Sequence, residues 1–154
     1  MRIRPATADD LPALMVLEEA GFPVAERWSA QAWRSELAGT DRWVRVGIDQ
    51  DRVIGVISVQ ILVPDSDLMR IVVDPRRRRE GLATRLVTAA VDHAAAAGAS
   101  AMMLEVRHDN DAAIACYGRA GFEQLTSRDH YYGQDRHALV MRAWDLGRTE
   151  GATS

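Results

Sequence analysis

The sequence predicts a mixed α/β sheet, mostly antiparallel, with one central parallel β-α-β pair. Three observations predict it. Apolar residues alternate in seven short runs and recur at helical spacing in four longer ones. A strand at 68–73, a helix at 82–97 and a strand at 100–107 follow one another, and such a crossover is nearly always right-handed and leaves its two strands parallel. The other strands are linked by short turns, as in hairpins.

The elements follow in order. Arg2-Ile3-Arg4 alternates as a short strand and stops at Pro5. Thr7 offers an N-cap, Asp9 and Asp10 suit the first turn, and Leu11, Leu14 and Leu17 stripe a helix that runs to about Ala20. The stretch from Gly21 to Trp28 reads as a loop holding Phe22 and Pro23, and Ser29 caps a second helix ending near Gly39. Residues 43–49 and 53–62 form a hairpin around a polar turn, and Pro64-Asp65-Ser66-Asp67 reads as the next turn. Met69, Ile71 and Val73 mark the strand that stops at Asp74-Pro75. Leu82, Leu86, Val87, Ala90, Val91 and Ala94 give the longest helix, closed by Gly98. After the strand at 100–107, the polar run His108 to Asp111 caps a helix ending at Gly121, and 122–126 with 138–143 make a final strand pair.

The chain has 154 residues, which suits one domain over 1–144 with a flexible tail at 145–154. Nineteen positive residues, all Arg, against 22 acidic ones leave a net charge of −3, so no global basic field recruits nucleic acid. Without Lys there is neither a Schiff-base lysine nor a P-loop lysine. One cysteine, Cys116, excludes an internal disulfide framework and a cysteine-based zinc cluster. No apolar run resembles a signal peptide or a membrane span. The expectation is a cytoplasmic protein, monomer or weak dimer, with no DNA or membrane partner.

The segment Val73 to Thr84 joins a strand end to a helix start, where unpaired N–H groups and the helix dipole favour an anion. Gly81 lets backbone approach a ligand, Ala83 is nearly as small, and the Arg residues can form charge-assisted bonds to phosphate. A pyrophosphate fits these demands. The segment has neither a second glycine for G-x-G-x-x-G nor a Gly-Lys-Ser/Thr. By itself the run Arg76 to Arg79 reads as a solvated loop or nucleic-acid patch; strand, turn, Gly81, Ala83 and helix in register favour the anion site.

The pattern Arg78-x-x-Gly81-x-Ala83 after Val-Asp-Pro resembles the acyl-CoA motif of the GNAT N-acetyltransferases. The run Leu104 to Tyr117, then Gly121-Phe122, with Arg128 and Tyr131-Tyr132, is similar to the RimI-type branch, which acetylates the N-terminal alanine of a small-subunit ribosomal protein. The resemblance spans about Ile3 to Met141 and is most specific over 68–122. It implies the GNAT fold and acetyl-CoA as co-substrate. It assigns the backbone of Ile71, Val72 and Val73 to the pantetheine arm. Arg78, Arg79, Glu80, Gly81, Leu82, Ala83 and Thr84 are assigned to the pyrophosphate, and Asn110 to the cofactor near the thioester.

Acetyl transfer to an amine needs a base, because an N-terminal amine with a pKa near ~8 is largely protonated at neutral pH. Strand alternation sets Glu105 on the face opposite Met102, Leu104 and Val106. Pattern alone leaves it either a base or a strand carboxylate paired with Arg107; the resemblance selects the base. Tyr117, on the apolar side of the next helix, reads alone as a core tyrosine, and the family's general acid matches it. The pair implies direct transfer in a ternary complex. Cys116 reads as packing rather than as an acyl carrier. His93, His108, His130 and His137 lack metal-ligand spacing, so no metal is expected.

The loop at 21–28 with Phe22 and Trp28, the strand edge at Arg70, and Arg128, Tyr131 and Tyr132 are the expected acceptor contacts. Asp65, Asp67 and Asp129 are either attractors of a basic peptide or solvated turn residues. Phe22-Pro23 is separated from Trp28-Ser29 by extra residues where the family has a compact F-P-W-S, a departure that bears on peptide choice. A lysine side chain or a small amine is the alternative acceptor. A non-catalytic acyl-CoA sensor or RNA-binding module is the alternative of another class.

Overall fold

A computed structural model describes residues 1–78, 80–128 and 138–146. Seven strands and four α-helices follow the expected order among them. These are β1 (Arg2–Pro5), α1 (Leu11–Gly21), α2 (Ala30–Ala38), β2 (Arg42–Asp49), β3 (Arg52–Leu62) and β4 (Asp65–Val73), then α3 (Leu82–Ala96), β5 (Ala101–Arg107), α4 (Asp111–Arg119), β6 (Glu123–Arg128) and β7 (Ala138–Trp144). Short 3-10 turns at Ala8–Asp10, Val24–Glu26 and Pro75–Arg77 punctuate the connections. The strand order is β1-β2-β3-β4-β5-β7-β6. Antiparallel pairing joins β1 to β2, β2 to β3, β5 to β7 and β6 to β7. The parallel pair is β4 with β5, in register at Asp67 and Met103.

One expectation is corrected. Residues 65–67, read as part of a turn because Asp and Ser favour turns, belong to β4. The Ser66 hydroxyl donates to the Ala101 carbonyl at 2.8 Å, and Asp67 pairs with Met103, so partner bonding outweighs local propensity.

The chain divides into two compact units, Met1–Gln60 with Met69–Leu86, and Ile61–Leu68 with Val87–Ser154. In the first, Leu14 and Leu17 of α1 and Trp33 of α2 pack on Val44, Val46, Ile48, Val56 and Val72. Residue alternation turns Gly47 to the opposite face of β2. Gly47 and Gly55 are cross-strand partners, and the hollow they leave is filled by Leu82, the first residue of α3. A Cβ on either glycine would come within 2.8 Å of a Leu82 methyl. Leu82 is fully buried, which stabilises the contact by about 2 kcal/mol.

In the second unit, Met102, Leu104 and Val106 of β5 are buried while Glu105 is exposed, as alternation predicts. Val87, Ala90 and Ala94 bury one side of α3, and Phe122 and Met141 are buried near α4 and in β7.

The N-terminal turn carries an ion pair. Thr7 precedes the 3-10 turn, and the Asp10 carboxylate accepts from the Thr7 N–H at 2.8 Å and from both terminal nitrogens of Arg4 at 2.9 Å. The Arg4 guanidinium holds Asp10, which is buried, below the usual carboxylate range.

Two outcomes follow. Gly55→Ala meets the Val72 carbonyl at 3.3 Å as well as Leu82, whereas Gly47→Ala meets Leu82 methyls that can shift. Overpacking costs about 1–3 kcal/mol against the roughly 0.5–1 kcal/mol that replacing a strand glycine returns. Urea unfolding should therefore find Gly55→Ala less stable than wild type and Gly47→Ala closer to it. For Asp10, a depressed folded pKa means stability present above pH ~4 and lost as pH falls through the folded value. The stability gap between wild type and Asp10→Asn should accordingly be largest near neutrality and shrink in acid.

Candidate active site

Strand β4 ends at Val73, and the Asp74 N–H donates to the Ile54 carbonyl at 2.9 Å. Asp74 then caps the turn Pro75–Arg77 by accepting from the Arg76 N–H. Its carboxylate also binds the Arg76 guanidinium at 3.0 Å, which lowers its pKa. Arg77 donates to Glu80 at 3.0 Å and to Asp49 at 2.5 Å; the two carboxylates raise its pKa, and it depresses that of Asp49. Arg78 is exposed and has no side-chain partner among the described residues. Within the Arg run, then, Arg76 and Arg77 are neutralised internally and Arg78 is not. Arg79 lies outside the described residues.

Gly81 has φ +81°, a conformation that side chains disfavour, and open space lies where its Cβ would stand. Helix α3 starts at the next residue, and the Arg85 N–H donates back to the Gly81 carbonyl at 3.0 Å. The amides of Leu82 and Ala83 are in the first turn, where N–H groups have no intrahelical acceptor. Backbone donors and the positive end of the helix dipole suit an anion at such a start. Ile71, Val72 and Val73 form the strand end leading into this turn, with Val72 buried.

Phe22, Trp28 and Arg70 are brought together in the first unit. The Arg70 guanidinium carbon lies 3.6 Å from the centre of the Phe22 ring and 5.1 Å from that of Trp28. Its charge is balanced by Glu18, to which it donates from Nε at 2.9 Å and Nη2 at 2.6 Å. Sequence reasoning missed Glu18, yet a signal existed: it lies four residues after Leu14, on the apolar stripe of α1. Trp33, whose ring is tilted against Trp28 at 5.0 Å and whose N–H donates to Glu18 at 3.0 Å, was missed likewise. Breaking such a buried pair from one side costs about 3–5 kcal/mol.

In the second unit, Glu105 is exposed on β5 opposite Val140 of β7. Arg107 binds Asp109 at 2.9 Å and holds that carboxylate below its usual range. Asn110 is the N-cap of α4, its side-chain oxygen accepting from the Ala113 N–H at 3.2 Å. The cap uses its oxygen, and its amide NH2 is a donor group. Tyr117 is buried, with its ring centre 5.9 Å from that of Phe122. Cys116 is buried beside it in the helix. Asp65 faces Arg142 at 3.7 Å. Arg128 ends β6; its side chain, Asp129, His130, Tyr131, Tyr132 and His137 lie outside the described residues. No group of three or more metal-ligating side chains occurs among the described residues. No described helix is long and apolar enough to cross a membrane.

Residues 9–122 match the acetyltransferase (GNAT) family. The chain is 32% identical over 126 residues to the [ribosomal protein bS18]-alanine N-acetyltransferase of Escherichia coli K12, covering 80% of this chain and 81% of that one. It is 35% identical over 97 residues to the Haemophilus ducreyi protein of the same name, covering 60% of this chain and 67% of the relative. The crystal structure of the ribosomal-protein-S18-alanine N-acetyltransferase from Escherichia coli superposes with TM-score 0.86 at 27% identity, covering 97% of this chain and 96% of that chain. The crystal structure of the Brucella melitensis ribosomal-protein-alanine N-acetyltransferase shares the fold, with TM-score 0.80 at 21% identity over 94% of this chain and 99% of its own. The mixed sheet with its parallel β4-β5 pair and these likenesses agree: the chain belongs to the GNAT acetyltransferase family and is an acetyl-CoA-dependent N-acetyltransferase.

Proposed function

We propose that this enzyme acetylates the N-terminal alanine of a small-subunit ribosomal protein in the cytoplasm, with residues 1–144 as one catalytic domain. The observation that carries the cofactor half is the turn at Arg78 and Gly81, which offers an uncommitted cation, open space and first-turn amides together. The acceptor half is supported by similarity to relatives named for the bS18 alanine. In this reading Arg78, Arg79 and the backbone from Glu80 to Thr84 hold the pyrophosphate. The backbone of Ile71 to Val73 lines the pantetheine arm, and the Asn110 amide donates near the thioester. The Glu80 carboxylate is engaged by Arg77, so its contribution is its N–H.

Glu105 takes the proton from the acceptor ammonium, directly or through a water. The freed amine attacks the thioester carbonyl, the C–S bond breaks as the tetrahedral adduct collapses, and Tyr117 gives its proton to the departing thiolate; the extra proton on the adduct nitrogen passes through water to the phenolate, leaving a neutral amide and restoring the tyrosine. The acceptor is received by the 22–28 loop with Phe22 and Trp28, behind which Arg70 of β4 is bound to Glu18; Arg128, Tyr131 and Tyr132 are the other acceptor contacts of this reading. An extended peptide held by its backbone suits such a site. Pairing of Arg76 and Arg77 with carboxylates argues against an RNA-binding module built on the Arg run.

Steady-state assays with an Ala-initiated bS18 peptide, a lysine peptide and a polyamine should find the first preferred; preference for either of the others reassigns the acceptor, and tight acetyl-CoA binding without transfer to any amine makes the chain a sensor. Arg78→Gln should weaken acetyl-CoA binding about tenfold by calorimetry, the loss of one charge-assisted contact, and Arg76→Gln by much less. Glu105→Gln should lower kcat by about 10²-fold or more, and Tyr117→Phe should lower kcat with acetyl-CoA affinity retained. Unchanged turnover in either variant removes that residue from the mechanism.

A further inference from the structure

The carboxylate of Glu18 is fully buried near the C-terminal end of α1 and accepts four hydrogen bonds. The donors are the Trp28 N–H at 3.2 Å, the Trp33 indole N–H at 3.0 Å, and Nε and Nη2 of Arg70 at 2.9 and 2.6 Å. Nη2 of Arg70 also donates to the Glu26 carbonyl at 2.8 Å. One guanidinium thus faces the ring of Phe22, bonds the backbone at Glu26 and lies near the ring of Trp28, touching the loop at its start, late turn and end. Arg27 adds a second tie, donating to the carbonyls of Phe22 at 2.8 Å and Glu19 at 3.1 Å. At the loop's tip, by contrast, Val24 is 77% exposed.

We propose that Arg70 is a positioning residue for the acceptor: with Glu18 it pins the 22–28 loop to α1 and acts on the peptide through that loop. The inference rests on the reading that this loop receives the acceptor. Arg70 lies 52 residues from Glu18 in sequence, so the tie closes a long-range contact that the loop's own bonds do not supply. Because its charge is balanced by Glu18, Arg70 brings no net field to the acceptor. What it fixes is the placement of Phe22, Glu26 and Trp28. A planar donor reaching a carboxylate through two bonds while stacked on a ring is a geometry that Lys does not reproduce.

The test uses the full-length enzyme, an Ala-initiated bS18 peptide and acetyl-CoA. Removing Arg70 alone strands the buried Glu18 charge, so the main variant is the double substitution Arg70→Met with Glu18→Gln. Arg70→Lys, which keeps the pairing charge, carries the same readouts should the double variant fail to fold. Val24→Asp perturbs the exposed loop tip and leaves the pin intact. In the double variant the peptide KM should rise about tenfold or more, with kcat within about twofold. Its acetyl-CoA affinity by calorimetry should be unchanged, and amide hydrogen exchange across 22–28 should accelerate about tenfold or more. Arg70→Lys should shift both readouts in the same direction by less.

If Val24→Asp raises peptide KM while the double variant changes neither KM nor loop exchange, the pin is overturned and the acceptor reading stands. Peptide KM unchanged in both variants overturns the acceptor reading and the inference with it. A fall in kcat at constant KM also overturns the inference, because it places the pair in the chemistry.

Discussion

The seat of Leu82 over Gly47 and Gly55 is the constraint on which the site depends. A helix N-terminus binds an anion only if its amides are held at a fixed place and angle, and α3 begins at the residue that plugs this hollow. Two opposed glycines in adjacent strands would weaken a sheet taken alone. Here they let the helix approach, and Leu86 follows one turn later within 3.4 Å of where a Gly55 Cβ would stand. Gly81, just before the seat, then takes a conformation open to glycine and leaves free space beside the first amides. Packing on one side of Leu82 and access on the other arise from three glycines with different reasons to be there.

Charge is organised by the same economy. A run of arginines has little specificity until its partners are counted. Asp74 holds Arg76, Glu80 and Asp49 hold Arg77, and Arg78 has no side-chain partner among the described residues. Glu18 and Arg70 are consumed by each other, and their value lies in geometry rather than field. The two arginines are thus used in opposite ways, Arg70 part-buried and paired, Arg78 exposed and without a side-chain partner among the described residues.

Much of this was legible in the sequence because it is local. The alternation that buries Met102, Leu104 and Val106 and exposes Glu105 needs only a strand period of two. Ser29, Asn110, Gly98 and Gly121 mark helix ends through side-chain or backbone geometry available within a few residues. The strand–turn–helix from Val73 to Thr84 was readable for the same reason, and the acyl-CoA assignment drew on its resemblance to a known motif. What escaped is long-range. The pairing of Glu18 with Arg70, the meeting of Gly47 and Gly55 under Leu82, and the capture of Arg77 by Asp49 join residues far apart in the chain. Local propensity also misread 65–67, where Asp-Ser-Asp forms a strand because β5 supplies partners. Glu18 carries a local signal as well, since a carboxylate on the Leu14–Leu17 stripe announces a buried partner.

The central claim is that the pyrophosphate of an acyl-CoA docks where β4 turns into α3, and backbone amide NMR during titration with coenzyme A tests it directly. The account predicts that the largest shift changes fall on Arg78 and Gly81 to Thr84, and that they saturate with the binding isotherm. Saturable binding with those amides unmoved, and the changes concentrated elsewhere in the chain, would contradict it.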